Sequence, residues 1–337
     1  MKLASLKTRQ HDGQLIIVDR ALKRYTAVPD IAATLQAALD NWNEVEPKLR
    51  AAAAALESAS GASTLPFDAR ACAAPLPRAY QWLDGSAYLY HVELVRRARG
   101  AEMPASFRTD PLMYQGGSDA LLGACDAAAF TSAEHGIDLE AEVAVITDDV
   151  PMGLTAAQAT AHVKLIVLVN DWSLRNLIPT ELAKGFGFLQ SKPATAFSPV
   201  AATPDELGGA WHGGKVHLPL VSHINGELLG RPDAGVDMTF SFHELMAHAA
   251  RTRRLGAGTI LGSGTVANRD PARGPSCLAE RRTLEVLEYG SARTPFLTFG
   301  DRVRIEMLAE NGASIFGALD QEVVRAQADV QGNTVSS

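Results

Sequence analysis

Cysteine is scarce in this chain, with three in 337 residues. Cys72, Cys125 and Cys277 lie far apart and form no CxxC pair. That excludes a disulfide framework or a paired-cysteine metal or redox motif, and the three read as reduced packing residues of a cytosolic protein. Positive charge is also lacking, since the formal net charge is -7. A nucleic acid or an acidic membrane surface is therefore not an expected partner. The densest basic cluster, Arg251, Arg253 and Arg254, falls where a helix is expected to end, a position the helix dipole favours for cations. Long apolar runs are missing as well. Residues 164–169 are apolar but far short of the roughly 20 needed to span a bilayer, and residues 1–7 lack the apolar stretch of a secretion signal. The chain is expected to be soluble and cytoplasmic.

Several catalytic signatures are absent: no P-loop, no Gly-x-Ser-x-Gly elbow and no cysteine-based triad. Gly262-Ser-Gly264 has no third glycine and no βαβ context, so it reads as a tight turn close to a site rather than a dinucleotide cradle. His243 and His248 are five residues apart, whereas the zincin motif needs two histidines at i and i+4 on one helical face. They read as ordinary helix histidines.

What is present is an ordinary globular composition, 47% hydrophobic and 20% charged, enough for a sizeable core. Residues 3–7 and 14–18 read as strands around the turn His11-Asp-Gly13. Helical spacing begins near Asp30 with Ile31, Leu35, Ala38 and Leu39, and the alanine-rich residues 49–56 extend it. Residues 58–64 have linker composition. The expected division is a small domain over 1–75, a main domain over 76–330 and a disordered tail over 331–337. In the main domain strand signals dominate. Residues 142–146 and 164–169 look buried, and residues 216–224 and 227–229 flank the two-residue turn Asn225-Gly226. Phe299-Gly-Asp301 is a turn opening a strand over 302–307. Thr155 with Gln158 and Ser241 with Glu244 form capping boxes, the second opening a helix that runs to about Arg254. Strands do not alternate with long helices, so the class is mainly β with α/β elements, not a doubly wound sheet.

The most informative stretch is Ile137-Asp-Leu-Glu-Ala-Glu-Val-Ala-Val-Ile146. As one strand it would put Glu140 and Glu142 on one face beside Asp138, with Ile137, Leu139, Ala141, Val143 and Val145 on the other. Two adjacent carboxylates at the edge of a core are costly unless a positive charge sits between them. Asp171, directly after the apolar run 165–169, and Asp84, in Trp82-Leu-Asp84, would each be a turn residue if taken alone. Together the carboxylates would offer a hard divalent cation an oxygen site. His91, seven residues after Asp84, is then placed to act as a base. Read singly, Glu280 and Lys192 are surface charges.

These pieces resemble the fumarylacetoacetate hydrolase family from about residue 80 to 325. They are Asp84 with His91, Glu140-x-Glu142, Asn170-Asp-Trp-Ser-x-Arg175, Lys192 ahead of Ser198-Pro199, Gly262-Ser-Gly-Thr265 and Phe299-Gly-Asp301. The resemblance implies a mixed β-sandwich roll with a small N-terminal domain, commonly a homodimer. It implies Asp84, Glu140, Glu142 and Asp171 as ligands of Mg²⁺ or Ca²⁺, with Mn²⁺ an alternative. It implies hydrolysis of a carbon–carbon bond in a β-diketo acid, such as fumarylacetoacetate in tyrosine and phenylalanine catabolism. His91, oriented by Glu280, would activate water, Lys192 would steady the oxyanion, and Tyr114, Arg175 and Thr265 would meet the substrate. Arg97 or Arg99 would meet a substrate carboxylate. Where family members often carry an oxyanion-hole glutamine this chain has Ile178, with Asn176 or Thr180 as replacements. That difference leaves acylpyruvate hydrolysis, 2-oxoacid decarboxylation and 2-oxo-enoate hydration open as alternatives on the same scaffold.

Overall fold

The computed structural model describes residues 1–58, 64–98 and 102–327. Most of the expected linker and all of the expected tail lie outside the described residues. The architecture is mainly β, two packed sheets with helices laid on them. An 11-stranded sheet runs from Leu65–Pro66 at one edge through Arg24–Ala27, Gln14–Val18, Lys2–Leu6 and Ala201–Ala202. It continues through Val163–Asn170, Ala141–Thr147, Thr259–Gly262 and Gln81–Gly85 to Met113–Gly116, and an eleventh strand, Ala196–Phe197, pairs with Val163–Asn170 off this path. The N-terminal strands thus extend the main sheet, through the pairs Lys2 with Ala202 and Leu3 with Ala201. A second sheet of five strands contains Leu220–Ile224, Arg302–Met307 and Leu319–Arg325.

Neighbouring strands Ala141–Thr147 and Val163–Asn170 form the spine, and both are covered on two faces. Val143, Val145, Ile166 and Leu168 pack with Leu220, Val303 and Ile305 of the second sheet. Ala144, Ile146, Leu165 and Val167 pack with Leu35, Leu39, Trp42 and Leu49, from the helices Leu35–Asp40 and Trp42–Ser58. Burying each Val, Leu or Ile contributes roughly 1.5–3 kcal/mol, and successive residues collect it here. The spine is therefore a firm mount for whatever projects from its end.

Local signals hold in most places. Asn225 and Gly226 both have positive φ, 52° and 82°, as a type I′ hairpin turn requires. Both capping boxes form with both arms. The second helix, however, is Phe242–Ala249 and stops five residues short of Arg254. Its inward positions Phe242, Leu245 and Met246 are followed by the buried Ala250 and then by Arg251-Thr-Arg-Arg254, all exposed, so nothing buries a longer helix. The stretch around the paired glutamates also differs from the single strand expected. Ile137–Asp138 pairs with Ser173–Leu174, a separate ladder begins at Ala141, and Leu139 and Glu140 sit between the two. No described helix is long and apolar enough to cross a membrane.

Candidate active site

Sheet topology gathers the carboxylates. Glu142 pairs with Val169, two residues before Asp171. The strand Thr259–Gly262 runs antiparallel to Ala141–Thr147, setting Gly262 opposite Ala144. Gln81–Gly85 runs parallel to Thr259–Gly262, setting Asp84 opposite Gly262. Glu142, Asp84 and Asp171 therefore emerge at the same end of four adjacent strands. Their oxygens lie within 4.8 Å of one another, and all three side chains are buried. Gly262 permits the approach, because a Cβ there would sit 2.4 Å from both Asp84 Oδ1 and the Trp82 ring.

The charges in this cluster are unevenly matched. Asp171 Oδ2 accepts from Tyr114 Oη at 2.6 Å and from Lys192 Nζ at 2.5 Å. Its Oδ1 accepts from Thr195 Oγ1 at 2.8 Å. Asp84 Oδ1 accepts the Gly264 N–H at 2.9 Å. Glu142 is fully buried, and neither of its oxygens has a hydrogen-bond partner among the described residues. Burial, then repulsion from Asp84 and Asp171, pushes the Glu142 carboxyl well above its ordinary value. The same two causes, burial and Asp171, push Asp84 up to about 8. A buried carboxylate without a donor is expensive. Glu142 is such a group, and its convergence with the carboxylates of Asp84 and Asp171 makes an all-oxygen donor set suited to a hard divalent cation.

Glu140 takes a different position. Its Oε2 lies 2.5 Å from Lys192 Nζ and its Oε1 2.8 Å from Arg175 Nη2. Burial works against its ionisation, but Lys192 and Arg175 more than offset that and hold it at about 2. For Lys192, likewise, burial opposes the charge and Asp171 and Glu140 restore it, raising the ammonium above its ordinary value. Lys192 thus stands between Glu140 and Asp171 as a positive charge, 5.4 Å from the Tyr114 ring centre.

His91 comes from the helix Leu89–Ala98 and Glu280 from the helix Leu278–Tyr289. His91 Nδ1 meets Glu280 Oε2 at 2.9 Å. With a carboxylate accepting at Nδ1, the tautomer leaves the Nε2 lone pair free to take a proton. Glu280 is nearly fully buried and His91 is partly exposed, so the imidazole faces the opening and the carboxylate backs it.

Part of this constellation lines one cavity of about 500 Å³, with Glu142, Asp171 and Glu280 buried behind the lining. Asp84, Glu140, Tyr114, His91, Arg175, Lys192 and Thr265 line it. Ile178 lines it too and brings no donor. Asn176 also lines it, but its Nδ2 already donates to the Glu134 carbonyl at 2.7 Å, and Thr180 is not part of the wall. Arg97 is exposed at the end of its helix and outside the cavity lining, and Arg99 lies outside the described residues. His243 and His248 join neither cluster of potential metal ligands among the described residues.

Two site residues escaped the sequence reading. Thr195 needed only its distance to Asp171 to be found. Asp138, named beside the paired glutamates but given no role, is fully buried. It accepts the N–H groups of Leu278 and Ala279 at 2.7 and 2.9 Å and Arg175 Nε at 2.8 Å. It therefore fastens the start of the helix carrying Glu280 to the arginine beside Glu140. The contact spans 140 residues of sequence, which no local pattern announces.

A carboxylate cluster at a sheet end, with a histidine–glutamate pair at the same cavity, is an arrangement suited to a divalent cation and a small-molecule ligand. Residues 81–324 match the family model described as fumarylacetoacetate (FAA) hydrolase C-terminal, and residues 1–78 match fumarylacetoacetase N-terminal domain 2. The chain belongs to the fumarylacetoacetate hydrolase family. No curated protein matches it. Among solved structures it is similar to a probable 2-hydroxyhepta-2,4-diene-1,7-dioate isomerase from Mycobacterium abscessus, with 18% identity and a TM-score of 0.66. It is also similar to the fumarylacetoacetate hydrolase from psychrophilic Exiguobacterium antarcticum, with 17% identity and a TM-score of 0.65. A third is maleylpyruvate hydrolase from Sphingobium sp. SYK-6 in complex with manganese(II) ion and pyruvate, with 14% identity and a TM-score of 0.63. Each likeness covers 97% of this chain and 100% of the other, and at these identities it speaks for the fold.

Proposed function

We propose that the protein hydrolyses a carbon–carbon bond in a β-diketo acid, fumarylacetoacetate to fumarate and acetoacetate, with Asp84, Glu142, Asp171 and Glu140 holding a divalent cation. The observation that carries this reading is the His91–Glu280 pair, 2.9 Å apart, opening on the cavity of the carboxylate cluster. A cation held there supplies Lewis-acid polarisation of the substrate's paired carbonyl oxygens. His91 takes a proton from water at Nε2, and the water oxygen attacks the carbonyl carbon. Glu280 stabilises the imidazolium that forms. The C–C bond then breaks, its electron pair leaves with the diketone carbon, and His91 returns the proton there. Lys192 and Arg175 are the cations placed to balance the developing oxyanion, work to which Ile178 contributes no donor.

That same Ile178 favours a second reading in which no tetrahedral oxyanion forms: decarboxylation of a 2-oxo acid or hydration of a 2-oxo-enoate. Product analysis separates the two. Purified protein with Mg²⁺ is incubated with fumarylacetoacetate, acylpyruvates, oxaloacetate and 2-oxo-enoates. Fumarate and acetoacetate from the first substrate support the proposal. Intact fumarylacetoacetate, with turnover elsewhere in the panel, transfers the assignment.

A further inference from the structure

Part of the cavity lining comes from one helix and the loop after it. One face of the helix Leu278–Tyr289 forms its wall: Ala279, Arg282, Thr283 and Val286, at the i, i+3, i+4, i+7 spacing of a single helical stripe. Ala292 and Phe296 close it. This part contributes no carboxylate to the lining, whose acidic groups, Asp84 and Glu140, come from other elements. It carries one cation, Arg282.

Arg282 differs from the other cations of the cavity. Lys192 is held by Glu140 and Asp171, and Arg175 by Asp138 and Glu140. The neighbouring Arg281 is 3.6 Å from Glu285. Arg282 has no carboxylate partner among the described residues. Its guanidinium carbon lies over the Phe296 ring, 4.2 Å from the centroid, and Nη1 donates to the Thr294 carbonyl. That contact and that single bond hold a side chain that would otherwise sample many rotamers, and they leave most of its five N–H donors unused. A guanidinium held in advance in an apolar part of a cavity is suited to a carboxylate, which it can grip with two parallel hydrogen bonds.

Resting on the function proposed above, we infer that Arg282 reads the far end of the substrate. It binds a terminal carboxylate carried on a short apolar arm, while the dicarbonyl end sits among Asp84, Glu142 and Asp171. Phe296 and Val286 receive the arm. Arg282 is then a specificity residue that selects acids charged at both ends over otherwise equal acids ending in a methyl group.

Calorimetric binding to the Mg²⁺-loaded protein tests this with two matched pairs that share the 2-oxo acid end. These are 2-oxoadipate against 2-oxohexanoate, and 2-oxopimelate against 2-oxoheptanoate. The wild type is expected to bind the doubly charged member of at least one pair roughly tenfold or more tightly. Arg282→Gln should erase that preference by weakening the diacid alone, and Arg282→Lys should keep part of it. Unchanged binding of the methyl-ended acid shows that the variant is folded. Equal binding within both pairs in the wild type, or equal weakening of both members in Arg282→Gln, would overturn the inference and leave the functional reading standing. Absence of Mg²⁺-dependent binding by all four acids would also overturn the inference, whereas the functional reading falls only if the substrate panel above leaves fumarylacetoacetate intact.

Discussion

Asp138 Oδ2 and Arg175 Nε are 2.8 Å apart in a place from which Asp138 is wholly withdrawn from water. Because the same carboxylate also accepts the first N–H groups of the helix bearing Glu280, one residue joins the cation side and the base side of the site. Asp138→Ala leaves a buried guanidinium half-paired and two helix donors without an acceptor. The expected cost is roughly 3–5 kcal/mol, the usual range for breaking a buried ion pair. Denaturant unfolding measures it. A cost under about 1 kcal/mol would show that Asp138 does not carry this junction.

His91 and Glu280 are expected to matter for chemistry and not for cation binding. His91→Ala should lower kcat by about 10²–10⁴-fold, the usual contribution of a positioned base. Glu280→Gln should cost less, since the imidazole remains and loses its orienting charge. Titration with Mn²⁺ should give the wild-type affinity in both. A lost Mn²⁺ site in His91→Ala would place the histidine among the ligands instead.

The carboxylate cluster sets a pH dependence. Asp84 rises from an ordinary 3.8 to about 8 in the folded protein, by burial and by Asp171, and Glu142 rises in the same direction. A carboxyl raised on folding favours the folded state below its unfolded pKa, and that advantage is lost as pH climbs through the folded value. The metal-free protein should therefore lose stability between about pH 4 and pH 8. Mg²⁺ compensates for this, so the gain in Tm on adding it should be larger at pH 8 than at pH 6, and binding at pH 7 should release protons. Thermal melts with EDTA and with Mg²⁺ across that range check the trend. A gain that shrinks with rising pH would contradict it.

Gly264 has φ of 77°, its N–H holds Asp84 Oδ1, and a Cβ there would lie 2.2 Å from the Gly85 carbonyl oxygen. Gly264→Ala is expected to destabilise by more than the roughly 1 kcal/mol that strained backbone alone costs. It should also weaken Mg²⁺ binding by displacing Asp84. Melting temperature and Mn²⁺ titration read both effects, and a variant with native values of each would refute the role given to this turn.

Residues close in sequence were the legible ones. The Asn225-Gly226 hairpin and the capping boxes depend on two to four neighbours and formed as expected. Glu142 and Asp171 were conspicuous because carboxylates rarely adjoin apolar strands. Their grouping with Asp84 needed the family resemblance, since the sheet that brings them together is built from strands far apart in the chain. Period-two alternation held through this stretch, since Ile137, Leu139, Ala141, Val143 and Val145 share one buried cluster, but the contacts of Glu140 were not legible. The ladder breaks at Leu139 and Glu140, and the side chain turns to Arg175 and Lys192, partners set by tertiary packing. The separation between Asp138 and Leu278, and the contact of Arg282 with Phe296, leave no trace in any local pattern.

The account's central claim is that Asp84, Glu142 and Asp171 form a cation centre with Glu140 at its edge. Anomalous diffraction from a crystal soaked in Mn²⁺ tests it most directly. The account predicts one strong peak at roughly 2.0–2.6 Å from an oxygen of each of Asp84, Glu142 and Asp171, the range of hard-cation bonds to oxygen. A peak at His91, Cys277 and Glu280, or no peak near Glu142 at saturating Mn²⁺, would contradict it.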